Sequence, residues 1–262
     1  YGALIAGQEI TLPLDLETPV KDPAHYQIVG TSAPRRDMME KLTGQQLYVH
    51  DLDIEGMVHG HVIRPPYAGR DTGDFIGNSL IDYDAFSVAG MDGLIDIVRI
   101  GDFLGVVAER PEQAQRIAEA LDVTWRRPPP LPDMDDLVNS LKSHPSTPRA
   151  LDRSGDFETG MAESATTLAR TYVWPYHEHG SIGPSCAVAD WNEADPVVWS
   201  GTQSPHLLRA DLALLVDLPA EKVEVRRYQV AGCFGRNCAD DVCGDALLLS
   251  RATGKPVRVQ LT

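Results

Sequence analysis

Three observations predict an α+β chain built in two modules. Short alternating apolar runs precede one amphipathic helical pattern between residues 35 and 125. A second set of short runs, interleaved with two helical patterns, fills residues 168–262. Between them, residues 127–150 carry RPPPLP and SHPSTPRA, a proline-rich stretch that can form neither regular ladders nor long helices.

Residues 1–33, interrupted by Pro13, Pro19 and Pro23, read as a wrapping arm. The run GMVHGHVIRP places Met57, His59, His61 and Ile63 on one alternating face, the pattern of a half-buried strand. GLIDIVRI and FLGVVAE supply two more strands, separated at Gly101 and Asp102. Pro111 opens a helix over 111–121, where its missing N–H would have no partner anyway, and Ala114, Ile117, Ala118 and Leu121 share a face. DVTW returns to strand. The segment DMDDLVNSLKS, inside the proline-rich stretch, has room for one short helix.

In the second module ARTYVWPYHEHG, CAVADW and PVVWSGT read as strands. Ser204 and Pro205 cap and open a helix through Val216, with Leu207, Leu208, Ala210, Leu214 and Leu215 as its apolar side. LPAEKVEVRRYQVAG gives a turn and a strand. Asn237 caps a helix through Ala252, with Asp240 and Asp241 in its first turn, where the unpaired N–H groups favour negative charge. Gly254 ends that helix, and KPVRVQLT alternates as a final strand.

The formal charge is −15, from 38 acidic and 23 basic residues. That balance repels nucleic acid and anionic membrane surfaces, so neither is expected as a partner. No apolar run approaches the ~20 residues a spanning helix needs, so an integral membrane protein is not expected. The chain begins at Tyr1 rather than Met, so upstream material is expected, and cytoplasmic and periplasmic locations both stay open. Cys186, Cys233, Cys238 and Cys243 lack the short paired spacing of structural zinc sites. They are expected to be buried thiols, with a disulfide left open.

The densest candidate for chemistry is AGCFGRNCADD, 231–241. Gly232 and Gly235 permit unusual dihedrals and close backbone approach, and Phe234 between them can wall a pocket. A tight structural turn and an anion or cofactor cradle both account for it, though it is not a dinucleotide fingerprint. In SGTQSPH, 200–206, Gln203 offers an amide donor and a carbonyl acceptor just ahead of a helix. YHEHGSIGPS places His177 and His179 on one strand face, without the further ligands a metal needs. Gly183 and Pro184 follow in a loop suited to shaping a substrate wall. No serine-protease triad or G-x-S-x-G elbow is present.

Taken in order, these segments resemble the large subunit of the molybdenum hydroxylases, the xanthine dehydrogenase and aldehyde oxidase family. KLTGQQLYVHDLDIEGMVHGHVIRPPYA (41–68) resembles its K-x-T-G … Y-x-x-D … G-M-x-x-x-x-x-R-x-P opening. GDFLGVVAERPEQAQRIAEAL (101–121) is similar to the end of its α/β hammerhead domain. HGSIGPSCAVADW, VWSGTQSPH, AGCFGRNCADD and DALLLSRATGKPVRVQLT resemble the beginning of its cofactor-binding domain. The likeness covers about residues 30–262, and IGPSCAVA with GCFGRN…DD points to the nicotinate dehydrogenase and isoquinoline oxidoreductase branch.

The resemblance implies a 1–33 arm, a 34–126 hammerhead-like domain, a 127–150 linker and a 151–262 N-terminal part of a molybdopterin-binding α/β domain. It implies molybdopterin, as its cytosine dinucleotide, with molybdenum held by dithiolene sulfurs and no protein metal ligands. Gln203 would lie beside the apical molybdenum oxygen and Phe234 would face the substrate, making these two the active-site residues. Gly232, Cys233, Phe234, Gly235, Arg236 and Gln203 would contact the cofactor. Cys233 replaces the family's usual second glycine. Asn237 and Cys238 stand where xanthine-type members carry a lysine–glutamate pair, which counts against xanthine as substrate. The implied reaction hydroxylates an N-heterocycle or oxidises an aldehyde, with water as oxygen source and electrons leaving through [2Fe–2S] clusters on a partner chain. The family's catalytic glutamate lies far downstream. The chain is therefore expected to be an N-terminal fragment, inactive without a complementary large-subunit fragment and an iron–sulfur subunit, with a cytochrome as a further candidate partner. A noncatalytic scaffold or assembly protein of the same descent is the alternative.

Overall fold

The computed structural model describes every residue except 1, 9, 12, 14, 68–76, 129–132, 153, 176, 178, 193–194, 236–240 and 262. Two compact units result, residues 1–46 and 47–262. The first holds two short helices, α1 (Gly2–Ile5) and α2 (Met38–Leu42), and none of its described residues is buried. Arg35 and Lys41 both pair with Asp37 at the start of α2.

The second unit contains nine strands among its described residues: β1 (Val58–Val62), β2 (Leu80–Asp84), β3 (Leu94–Ile100), β4 (Phe103–Ala108), β5 (Asp122–Trp125), β6 (Cys186–Asp190), β7 (Val197–Ser200), β8 (Glu224–Arg227) and β9 (Val257–Gln260). Its helices are α3 (Pro111–Ala120), α4 (Leu137–Ser143), α5 (Phe157–Glu163), α6 (Pro205–Val216) and α7 (Asp241–Thr253). Seven strands form one mixed sheet in the order β3-β4-β1-β9-β6-β7-β8, and β2 pairs with β5 in a separate ribbon. The sheet takes strands from both sides of the proline-rich stretch. They meet where β1 runs parallel to β9, with His59 opposite Arg258.

Both faces of the sheet are covered, so strand residues alternate between two cores rather than between core and water. On β4, Leu104, Val106 and Ala108 pack under α3 with Ala114, Ile117 and Leu121. Val107 points the other way, into the core shared with α6 and α7. β6 divides likewise: Ala187 and Ala189 join the α6/α7 core, while Cys186 and Val188 pack against Val49 and Trp199. A two-residue turn at Gly101 (φ +60) and Asp102 joins β3 to β4. The Asp102 carboxylate accepts from the Ser79 backbone N–H (2.6 Å), the Ser79 hydroxyl (2.7 Å) and the Leu80 N–H (3.1 Å), which pins the start of β2.

Two strand glycines decide how closely α7 approaches. A Cβ on Gly60 would sit 2.4 Å from Leu249 Cδ1, and one on Gly105 would sit 3.0 Å from Leu249 Cδ2. The pair leaves a notch that Leu249, itself fully buried, fills. Helix α7 ends as the sequence predicts, with Gly254 left-handed (φ +63) and its N–H bonded to the Ser250 carbonyl at 2.8 Å.

Several sequence expectations need correction. The more deeply buried face of β1 is Val58 and Gly60, not the face of His59 and His61, because α7 packs on the former. Helix α6 buries Leu208, Leu212, Ala213 and Val216, while Leu207, Leu214 and Leu215 are exposed. Ser204 stands at the N-cap of α6, but its side chain makes no capping bond. No described residue of 168–179 is in a strand. Strand β2 went unpredicted. The final helix is described from Asp241, and its expected cap Asn237 lies outside the described residues together with Cys238. The short helix within the proline-rich stretch is present as α4.

Replacing Gly60 by valine should lower unfolding free energy by ~1–3 kcal/mol, the usual range for forcing atoms into a packed core. Equilibrium denaturation would show it, and no loss would mean that Leu249 does not need the notch. A second expectation concerns pH. Burial holds His59 and His61, on the side of β1 toward α3, below their ordinary value of 6.5. Arg258 pushes His59 further down, while Glu112 acts against the shift on His59 and Glu119 against that on His61. Below about 6.5 the unfolded chain therefore takes up protons that the folded chain refuses, and stability falls with pH until the folded histidines titrate too. Urea midpoints should drop from pH 7 toward pH 5, and the H59Q/H61Q double variant should flatten that slope.

Candidate functional site

Strand directions gather the candidate loops at one end of the sheet. β7 and β8 are parallel neighbours, so the loops after Ser200 and after Arg227 leave side by side. β6 is antiparallel to β7 with Ala187 opposite Ser200, so the residues leading into Cys186 arrive at the same end. Cys186 lies opposite Gln260, which places the C-terminal end of β9 there too. The carboxyl ends of parallel strands are where ligands bind in open α/β sheets.

The loop after β7 is tightly wound. The Ser200 hydroxyl accepts the Thr202 N–H (3.1 Å), and the Thr202 hydroxyl accepts the Ser204 N–H (3.0 Å), a repeated hydroxyl turn. Arg227 Nε donates to the Thr202 carbonyl at 3.1 Å. Pro205 then opens α6, leaving Gln203 exposed at the loop tip. Gly201 has no alternative here: a Cβ would lie 1.8 Å from Val230 Cγ1. That approach ties the Gln203 loop to the segment after β8.

That segment continues into the glycine loop. Tyr228 N–H bonds the Ser200 carbonyl at 2.8 Å, and Val49 N–H bonds the Gln229 carbonyl at 3.1 Å. Gly232 (φ +101), Phe234 (φ +47) and Gly235 (φ +91) are all left-handed. For Phe234 that region is sterically costly, and it turns the ring back over Gly232, where a Cβ would meet Phe234 Cε2 at 2.8 Å. Cys233 is buried, whereas Phe234 is 63% exposed. Residues 179–183 lie along this loop. The His179 ring nitrogen Nδ1 is 2.6 Å from the Phe234 carbonyl oxygen, the Ser181 hydroxyl donates to the Cys233 carbonyl (3.2 Å), and Gly183 N–H to that of Ala231 (3.1 Å).

The structure thus brings Gly232, Cys233, Phe234 and Gly235 into one loop and seats the Gln203 loop beside it. Arg236 lies outside the described residues. His177 and His179 are exposed and share no strand. Cys186, Cys233 and Cys243 are buried, and burial pushes the Cys186 thiol up to about 12. Among the described residues no three His, Cys, Asp or Glu side chains are placed to hold a metal ion.

Sequence reasoning gave Arg64 no role. Its guanidinium lies 2.6 Å from the buried Asp245 carboxylate and 3.6 Å from Asp241, fastening the end of β1 to the first turns of α7. It also lines a cavity of about 410 Å³ with His61, Glu119, Asp241 and Gln260. The available signal was Arg64 directly ahead of two prolines, an Arg fixed at a strand end.

Comparison with known proteins bears on this arrangement. The molybdopterin cofactor-binding domain family matches residues 143–262. A nicotinate dehydrogenase subunit of Pseudomonas putida is 50% identical over 263 residues, covering all of this chain and 22% of that protein. By these likenesses the chain is similar to molybdopterin-binding, xanthine-oxidase-like proteins, and its residues 143–262 match the cofactor-binding domain itself. Among solved structures, quinoline 2-oxidoreductase from Pseudomonas putida superposes with TM-score 0.66 at 21% identity, over 89% of this chain and 34% of that one. The aldehyde oxidoreductase of Desulfovibrio gigas superposes with TM-score 0.68 at 17% identity, over 87% and 30%. These likenesses show the fold, a mixed α/β architecture matching the hammerhead and cofactor-binding domains of such proteins. The chain spans between a fifth and about a third of their lengths. No described helix is long and apolar enough to cross a membrane.

Gly201→Ala should cost ~1–3 kcal/mol in equilibrium unfolding, because its Cβ must displace Val230. Val230→Ala in the same chain should recover much of that loss. Additive effects in the double-mutant cycle would mean that the two loops are not packed against each other.

Proposed function

We propose that this chain supplies part of the substrate and cofactor site of a molybdenum hydroxylase, with Gln203 and Phe234 as its active-site residues. The observation that carries the reading is the juxtaposition of two loops. The Gln203 amide is exposed at the tip of one, and the other presents Phe234 between two left-handed glycines, at the carboxyl ends of adjacent parallel strands. These residues suit a pterin–metal group bound through its own sulfurs. Gly232 and Gly235 leave backbone bare for close approach, the Gln203 amide would donate a hydrogen bond to the bound group, and no protein ligand cluster would be required. In this reading Gly232, Cys233, Phe234, Gly235 and Arg236 contact molybdopterin, in its cytosine dinucleotide form.

The cofactor supplies the oxidation chemistry when bound. Gln203 donates a hydrogen bond that orients it, and the Phe234 ring walls the pocket and stacks on a flat substrate. The 50% identity to a protein of nicotinate dehydrogenase supports an N-heterocycle as substrate, with an aldehyde second. The bound group would supply an oxidation with water as the oxygen source, and [2Fe–2S] clusters on an iron–sulfur subunit would take the electrons, with a cytochrome as a further acceptor. The catalytic glutamate comes from a complementary part of the large subunit. Residues 34–126 form the hammerhead-like domain, 127–150 the linker and 151–262 the first part of the cofactor-binding domain, with 1–33 as an arm. The β1–β9 pairing is the seam between the two domains.

The test is the full protein purified from its source, with molybdenum and pterin quantified and nicotinate and related N-heterocycles assayed. Gln203→Ala should keep molybdenum content and lower kcat/KM about 10- to 100-fold, the usual cost of losing a partner in the outer shell of a metal site. A purified protein without molybdenum, or a Q203A variant with undiminished turnover, would sink the assignment and favour a scaffold.

A further inference from the structure

We propose that His179 is the positioning residue of the Phe234 loop. Phe234 holds a left-handed conformation (φ +47) that residues with a side chain seldom adopt, so something outside the loop must retain it. The described contacts on that loop from 179–183 form a short ladder. His179 reaches the Phe234 carbonyl at 2.6 Å, Ser181 the Cys233 carbonyl at 3.2 Å and Gly183 the Ala231 carbonyl at 3.1 Å. His179 is the rung at Phe234 itself. Its ring also occupies the space beside Gly235, where a Cβ would lie 3.2 Å from Nδ1 and 3.3 Å from Cε1. Gly180 (φ +55) turns the chain immediately after it.

A carbonyl oxygen only accepts, so Nδ1 carries the proton in this bond. The Nδ1–H is present in the imidazolium and in one neutral tautomer, and either form can make the bond. His179 thus fixes the peptide that follows Phe234, and with it the direction of the ring, without itself touching substrate. The kinetic part of this inference rests on the molybdenum hydroxylase reading, and the positional part does not.

The experiment uses the full-length holoprotein and the variants H179A, H179N and H179Q. Asparagine places an amide nitrogen near the position of Nδ1, whereas glutamine reaches one bond too far. H179A and H179Q should accelerate deuterium uptake in a peptide covering 231–235 about fivefold, the loss expected from one ordinary hydrogen bond. H179N should restore wild-type exchange. Against an N-heterocyclic substrate, H179A should raise KM more than it lowers kcat, and H179N should recover both with the wild-type pH profile. Unchanged exchange in H179A, or an H179N no better than H179A, would overturn the proposal. So would loss of a pH limb in H179N, which would make His179 a proton-transfer group. A holoprotein lacking molybdenum would defeat the functional reading alone, because the exchange measurement still decides the clamp.

Discussion

Helix α7 can lie against the seven-stranded sheet only because Gly60 and Gly105 leave room for Leu249. Much of the unit depends on that close approach. Leu247 and Leu249 of the helix are fully buried, together with Val257 of the strand that follows it. Once α7 is seated, the short turn at Gly254 delivers β9 between β1 and β6, and one sheet joins strands from both sides of the proline-rich stretch. The same seating brings Asp241 and Asp245 to Arg64 at the end of β1.

The candidate site is built by the same device, backbone approaching where a side chain would not fit. Gly201 lets Val230 close over the β7 loop, and Gly232 lets the Phe234 ring fold back. Hydroxyl turns at Ser200 and Thr202 and the ladder from 179–183 satisfy the donors and carbonyls this irregular backbone would otherwise leave open. What results is a pair of neighbouring loops that expose one amide side chain and one aromatic ring. In the proposed reading, such an arrangement would give orientation and shape to a cofactor that brings its own metal chemistry.

Much of the fold was legible because its signals are local. Pro111 and Pro205 opened α3 and α6, Gly254 closed α7, and the runs at 94–100, 103–108, 186–190 and 257–260 are strands as their apolar character indicates. What failed depended on partners distant in sequence. Helices α3 and α7 cover opposite faces of β1, so its alternation did not reveal which face α7 would choose. Strand β2, with Asp82 and Asp84 among its five residues, hides its pairing with β5 behind charge. Helix α6 is apolar on more than one side, and only the packed structure separates Leu208, Leu212 and Val216 from Leu207 and Leu214. At the site, the glycines and Gln203 were readable as residue types. The Gly201–Val230 approach, the reach of His179 and the Arg64–Asp245 pair were not, because each joins segments that a linear reading keeps apart.

The central claim is that the Gln203 and Phe234 loops face a molybdopterin group. Cryo-electron microscopy of the full holoprotein purified from its source tests it most directly. The account predicts cofactor density at the carboxyl ends of β7 and β8, with the Gln203 amide nitrogen about 3 Å from an acceptor atom of the group, within hydrogen-bond reach. Cofactor density elsewhere in the protein, with these two loops turned to solvent or buried against another chain, would contradict it.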